Sequence, residues 1–369
     1  MKVAIIGAGI VGSTAAYYLS KEANVHVTVF DHGLGQATKA AAGIICPWFS
    51  RRRHKAWYQM ARLGADLYPQ LILDLQKDGF ETSFYKQVGI FLHKKTPEHF
   101  QDLYHLAHSR LAESPLIGDL RILSEEAIKK AFPDLQTKGQ MLYASGAARL
   151  DGAALTRTLL AASGCSVIRK KVNLAELAEG YQIDGQMFDR VILAAGAWLG
   201  NLLEPLGYEV DVRPQKGQLL DYVFEDYQTE HLPVFMPEGE IDVIPFDHGR
   251  VSVGASHEND KGFDLTVDHE VLERLASDAR VFFPKIDQAI SKTSRVGIRA
   301  YTSDFSPFYG QVPGLPGLYA ASGLGSSGLT TGPFIAKCLV ESLLTNTISS
   351  EISTDNISHY LKPKTDKSV

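Results

Sequence analysis

Three glycines and one carboxylate near the start of the chain have the spacing of a phosphate cradle. Gly7, Gly9 and Gly12 stand in a G-x-G-x-x-G run, and Asp31 follows 19 residues after the last of them. The first glycine permits a tight turn, the second lets a pyrophosphate approach the backbone, and the third lets a helix lie close on a strand. The N–H groups of a helix beginning near Ile10 and Val11 offer a positive dipole end to phosphate. The Asp31 carboxylate can accept hydrogen bonds from the hydroxyls of an adenosine ribose. This chemistry is dinucleotide binding, and it does not separate FAD from NAD.

A second glycine cluster lies near the other end. Leu324–Gly332 (LGSSGLTTG) follows the apolar run Gly317–Gly323, and Pro333 stands where a helix would begin. The start of that helix would turn free N–H groups towards a polar or anionic atom. Arg299, in Gly297-Ile298-Arg299-Ala300-Tyr301, is on its residues alone either a structural arginine or an anion-binding fork. The basic run Arg51–Lys55 reads as a solvated face at a helix start. Cys46, Cys165 and Cys338 are odd in number and far apart, which suits free thiols in a reducing compartment. No His or Cys stands at zinc-ligand spacing.

The elements that must hold these residues alternate in texture. Lys2–Ile6, a helix to Ser20 and Val25–Phe30 form a βαβ unit around the first glycines. Gly33–Gly43 is small and loop-like. Trp57, Met60, Gly64, Leu67, Leu71 and Leu75 recur at helical spacing, with Pro69 as a possible kink. Phe84–His93 reads as one strand, Pro97–Glu113 as a helix, and Ser124 as a helix cap. Asp151–Ser163 is a helix, and Val167–Lys171, Val172–Leu177 and Phe188–Gly196 are strand-like. Gln215–Phe224, Val234–Pro237, Ile241–Pro245 and Val251–Ala255 are short strands, followed by a helix over Val267–Phe283. The expected fold is α/β: a Rossmann-type unit (1–78, 144–211 and 292–369) interleaved with an antiparallel-sheet unit (79–143 and 212–291). The tail after Ser349 is polar and is expected to be loose at its end.

With 369 residues, 45% of them hydrophobic and 21% charged, the composition is that of a globular enzyme and not of a disordered chain. A net charge of −5 gives no reason to expect nucleic acid as a partner. The uncharged stretch Val3–Ser20 is broken by glycines, so no transmembrane segment is expected and the reading is cytoplasmic.

Taken together, Val3–Gly12, Ala40–Ile44, Val191–Trp198, Ile244–Ala255, Gly297–Arg299 and Gly317–Pro333 resemble the D-amino-acid oxidase family of flavoenzymes. The nearest look is to its glycine oxidase, D-amino-acid dehydrogenase and sarcosine oxidase branches. The resemblance implies FAD as the dinucleotide. It implies Asp31 and its neighbour His32 at the ribose, Thr38 and Ala41, Ala42, Gly43 and Ile44 along the pyrophosphate and flavin, and Val172 at the adenine. Ala195, Gly196 and Trp198 would pass close to the ADP part, with Gly297 also near the cofactor. Gly323, Leu324, Gly325, Ser326, Ser327, Gly328, Leu329 and Thr330 resemble the loop that meets the flavin's N1–C2=O edge, where negative charge develops on reduction.

By the same resemblance Arg299 grips a substrate carboxylate, with Tyr301 and Ser326 as further pocket candidates; His257 reads first as a surface or satisfied histidine and second as a pocket residue. The implied reaction is oxidation of an amine α to a carboxylate. Hydride leaves Cα for flavin N5, and the imino acid hydrolyses to a 2-oxo acid and ammonia. The substrate would be a D-amino acid or glycine, or alternatively a secondary amine of sarcosine or proline type. A non-catalytic flavoprotein subunit is the remaining alternative. Oxygen, a quinone or another electron carrier would reoxidise the flavin.

The sequence departs from the family pattern at two points. Ser326 stands where glycine oxidase is expected to carry a second arginine, and Asp242 lies on the strand that often presents a tyrosine. No cysteine occurs between Thr293 and Ser322, so the expected FAD is non-covalent.

Overall fold

The computed structural model describes residues 1–51, 54–345 and 357–364. A six-stranded sheet runs in the order Phe308–Gln311, Leu318–Ser322, Arg190–Leu193, Lys2–Ile6, His26–Phe30, Ser166–Ile168. It is parallel except for the first pair. Both faces are covered, which is why its strands read as continuous apolar runs. Val3, Ile5, Val29 and Ile192 meet a layer of helices (Ile10–Leu19, Lys55–Lys77, Gly152–Ser163 and Gly328–Thr345). Ala4, Ile6, Phe30, Val191 and Leu193 meet Leu174, Tyr181, Ile183 and Phe188 of a small antiparallel sheet.

An eight-stranded sheet faces the C-terminal ends of those parallel strands. Its order is Ser291–Tyr301, Arg213–Val223, Arg250–Gly254, Asp242–Pro245, Val234–Met236, Ile90–Leu92, Met141–Ala144, Leu120–Leu123. Alternation sorts its side chains. Phe91, Phe235, Val243, Val251 and Val253 form a core with Leu272, Leu275, Ala276 and Ala279 of the helix His269–Phe282. The residues between them, such as Leu92, Met236 and Asp242, turn to the opposite face and line the site.

Several elements differ from the sequence reading. Phe84–His93 is two strands, Tyr85–Lys86 and Ile90–Leu92, in different sheets; the break falls at Gly89, whose φ is +78°. The loop Gly33–Gly43 contains a short helix, Ala37–Ala40. Ser291–Tyr301 is a strand that the sequence pattern does not announce. It pairs along its whole length with Arg213–Val223, so sheet membership carries residues 292–301 with the eight-stranded sheet instead of the nucleotide unit. We propose the two-unit division in that adjusted form. Of the basic run 51–55, Arg52 and Arg53 lie outside the described residues; Arg51 pairs with Asp102, and Lys55 opens a helix capped by His54. Of the tail, Leu361–Pro363 is paired with Tyr208–Val210, and residues 365–369 lie outside the described residues.

The C-terminal helix begins at Gly328, so Pro333 is inside it and not at its first position. Proline has no N–H to give the carbonyl one turn back, that of Leu329. The buried hydroxyl of Tyr68 supplies that hydrogen bond at 2.5 Å. One turn before Tyr68, Gly64 touches the same place: a Cβ there would come within 1.9 Å of the Thr330 carbonyl oxygen. The helix Lys55–Lys77 thus holds the first turns of Gly328–Thr345 backbone to backbone. Tyr68→Phe leaves a buried carbonyl unsatisfied and is expected to destabilise the fold by ~1–3 kcal/mol in denaturant unfolding. Gly64→Ala, which must separate two backbones, is expected to cost more.

Candidate active site

A cavity of about 1200 Å³ lies between the parallel-strand ends and the inner face of the eight-stranded sheet. It exceeds the few hundred to ~1000 Å³ of pockets for drug-sized ligands. At its nucleotide end Gly7 has a φ of +106°, and a Cβ there would sit 2.3 Å from the Ala194 carbonyl oxygen. A Cβ on Gly12 would sit 1.9 Å from the Gly7 oxygen, so this glycine serves helix-on-strand contact and stands behind the cavity wall. Gly9, Ile10 and Val11 line the cavity. The Ile10 N–H donates to Thr38 Oγ1 at 3.0 Å. Val11, in the first helical turn, has an N–H with no acceptor among the described residues, as a phosphate site requires.

Asp31, His32, Val172, Ala195, Gly196 and Trp198 also line this end. The Asp31 carboxylate accepts from the Ala8 N–H at 3.2 Å and from Gln36 Nε2 at 2.8 and 2.7 Å. Gln36 Oε1 is buried with no partner among the described residues. His32 sets its ring edge-on to Trp198 at 5.4 Å. These open amides, the small residues and an orphaned amide oxygen fit a dinucleotide.

The middle of the cavity is bounded by Thr38 and Ala41, Ala42, Gly43 and Ile44 on one side. Leu324, Gly325, Ser326, Ser327, Gly328, Leu329 and Thr330 bound it on the other. Gly43 has a φ of +86° and a Cβ there would meet the Leu150 oxygen at 2.0 Å, which seats this turn on a neighbouring strand. Gly297 lines the cavity against Ala40. Two residues named from the sequence stand outside the wall. Gly323 is turned against Ser306 and Thr302. Tyr301 is buried behind Gly325, and its hydroxyl accepts the Ser326 N–H at 3.1 Å. Tyr301 therefore braces the glycine loop from behind.

Arg299 lines the far end. Its guanidinium lies flat on Gly217, where a Cβ would come within 2.6–2.8 Å of three of its atoms. Nη1 donates to Gln215 Oε1 at 3.1 Å and to the Ser256 carbonyl at 2.8 Å. Both acceptors are neutral, and Nη2 and Nε have none among the described residues. Burial works against the charge and lowers its pKa; Tyr301, Glu258 and Glu240 act in the opposite direction. A partly buried fork with one edge open suits a carboxylate. Burial also lowers the pKa of His257, and the Arg299 charge adds to it.

Asp242 shares this end with Glu240, Lys94, Met236 and Cys46. It opens onto the cavity and is enclosed by protein elsewhere, and that burial pushes its pKa up to about 8. Burial, with Asp242 second, raises the Cys46 thiol strongly, so it stays protonated. Sequence reasoning missed Gly217, although glycine inside a strand signals a close approach. Glu240, Lys94 and Gln36 carried no signal.

The whole-chain comparisons agree with this architecture. Residues 2–342 match the family model described as DAO, FAD dependent oxidoreductase, and the chain belongs to that family. It is 42% identical over 354 residues to the uncharacterized oxidoreductase YurR of Bacillus subtilis (strain 168), covering 92% of this chain and 94% of that protein. It is 29% identical over 365 residues to a glycine oxidase of Pseudomonas aeruginosa, covering 92% and 94%. The crystal structure of iminodiacetate oxidase from Chelativorans sp. BNC1 superposes with a TM-score of 0.89 at 31% identity, covering 97% of this chain and 98% of that one. The protein is an FAD-dependent oxidoreductase. No helix among the described residues is long and apolar enough to cross a membrane.

Two outcomes are expected from this geometry. Gly217→Ala displaces the Arg299 fork and weakens binding of a simple carboxylate to the flavoprotein by ~10-fold or more, read by spectral titration. Asp242 binds its proton more tightly folded than unfolded, so its contribution to stability falls as pH rises from about 3.8 to about 8. The melting temperature of Asp242→Asn relative to the natural protein is therefore expected to rise across that window.

Proposed function

We propose that this protein oxidises a small α-amino acid at its C–N bond, with Arg299 holding the substrate carboxylate. The observation that carries this reading is the Arg299 guanidinium on Gly217, partly buried, facing the cavity and hydrogen-bonded among the described residues only to neutral acceptors. Bound FAD supplies the acceptor for the hydride that leaves Cα. The chain's residues supply position. The Arg299 fork fixes the carboxylate, which leaves Cα and the amine to be turned towards the glycine loop 324–330. That loop and the start of the helix Gly328–Thr345 favour negative charge developing opposite them. The imino acid released is hydrolysed by water to a 2-oxo acid and an amine or ammonia.

Cys46 lies on the cavity wall with its thiol held protonated, which supports non-covalent FAD. To the cofactor we assign Gly7, Gly9, Ile10, Val11, Asp31, His32, Thr38, Ala41, Ala42, Gly43, Ile44, Val172, Ala195, Gly196, Trp198, Gly297 and the loop 324–330, all of which line the cavity. A second reading, oxidation of a secondary amine, is supported by the 31% identity to an iminodiacetate oxidase. Oxygen or a quinone-type carrier completes the cycle.

The test is anaerobic reduction of the flavin by a panel of D-amino acids, glycine, sarcosine, iminodiacetate and L-proline. Bleaching by at least one member is expected, and Arg299→Lys should lose ~10- to 100-fold in apparent affinity for it. A flavin that dithionite reduces but no amino acid bleaches would contradict the reading.

A further inference from the structure

Asp242 is a carboxylate with no assigned task. It extends from the strand Asp242–Pro245 into the same cavity as Arg299 and accepts no hydrogen bond among the described residues. It pairs in register with Gly254, and Gly254 pairs with Leu219 on the strand that carries Gly217. Two strand spacings of ~4.8 Å and a two-residue stagger of ~6.8 Å therefore separate the backbone of Asp242 from Gly217 under the Arg299 fork, ~12 Å in all, and both side chains reach into the space between. A carboxylate held on Arg299, the Cα and amine beyond it, and one further hydrogen bond span that gap. Cys46, which follows the turn Ala41–Ile44, is close enough to feel its charge.

We propose that Asp242 receives the ammonium group of the substrate and takes its proton, so that the amine enters the oxidation in neutral form. This rests on the reading of Arg299 as the carboxylate clamp. An N–H bond breaks, its electron pair remains on nitrogen, and an O–H bond forms on Asp242. The nitrogen pair then assists departure of the Cα hydride to FAD, the oxidant that the family uses. An ordinary exposed aspartate is too weak a base for this transfer. Burial raises Asp242 towards the basicity of an amine and narrows the gap. The other charged or titratable groups around it are Cys46 from the segment after Ile44, Glu240 beside its own strand, and Lys94 and Glu238 beyond the neighbouring strands. His257 and Arg299 lie on the side of Gly254. Of these, Arg299 is committed to the carboxylate, and Glu238 to His99 and the Lys95 N–H.

The test uses the flavin-loaded protein and two matched carboxylates that cannot be oxidised at Cα–N. These are 2-aminoisobutyrate, which has an amine but no Cα–H, and isobutyrate, which has no amine. Calorimetry in buffers of unlike ionisation enthalpy counts the protons exchanged. Well below pH 8 the free site holds protonated Asp242 and the ligand is an ammonium ion. The bound pair keeps one proton, so about one is released per ligand. The natural protein should bind 2-aminoisobutyrate at least ~10-fold more tightly than isobutyrate, with that release. In Asp242→Asn both the gain and the release should vanish while isobutyrate affinity holds; Asp242→Ser serves if Asn does not fold. Flavin reduction by substrate in the variant should fall by ~100-fold or more at neutral pH and recover towards the amine's own pKa. If Asp242→Asn keeps the gain and the proton release, or if the natural protein shows neither, the proposal is overturned and the Arg299 reading stands. If isobutyrate does not bind at all, the Arg299 reading fails and this proposal falls with it.

Discussion

A partly buried guanidinium charge with no carboxylate partner among the described residues is the constraint around which the site is built. Removing such a charge from water is costly unless hydrogen bonds and an opposite charge replace the solvent. Arg299 has two neutral acceptors on one nitrogen and an open edge on the others. Glu258, an acid whose charge reaches Arg299, is spent elsewhere: it accepts from Gln218 and Ser256 and faces Lys216. On the proposed reading, an anionic ligand compensates Arg299. Gly217 is what makes this possible, because only a residue without a side chain leaves room for the guanidinium to lie on the sheet.

The strand that carries Arg299 also fixes it relative to the nucleotide. Ile298 donates its N–H to the Gly35 carbonyl at 2.9 Å, and Gly297 lies against Ala37 and Ala40. Arg295, on the same face, donates to the Ala41 carbonyl at 3.0 Å and is itself paired with Asp221. Three successive odd positions thus meet the loop that borders the flavin region or the substrate end. On the proposed reading, a substrate clamped by Arg299 is held in register with whatever the loop 37–44 holds. The glycine loop closes the arrangement from the other side, braced by Tyr301 of the same strand and by Tyr68 and Gly64 of a helix.

The nucleotide half was legible because local rules govern it. Gly7 and Gly12 are required by backbone approaches that any such βαβ unit makes, and they follow one another within a few residues. The second half was less legible. Ser291–Tyr301 is a strand whose inward face carries Arg295, Gly297 and Arg299, residues that oppose a strand reading when the partner surface is unknown. Pro333 suggested a helix start because proline is favoured there. A tyrosine from a distant helix satisfies the carbonyl it leaves free, and no local pattern shows that. Asp242 drew notice in the sequence only as an exception to a family pattern. Its burial, and with it its basicity, comes from contacts across the fold.

The most direct measurement is a crystal structure of the flavin-loaded protein with 2-aminoisobutyrate bound. The account requires the ligand's carboxylate on the open edge of Arg299, above Gly217, with its amine directed to Asp242. A ligand bound in the cavity with its carboxylate on Lys94 or on the glycine loop, and Arg299 untouched, would contradict it.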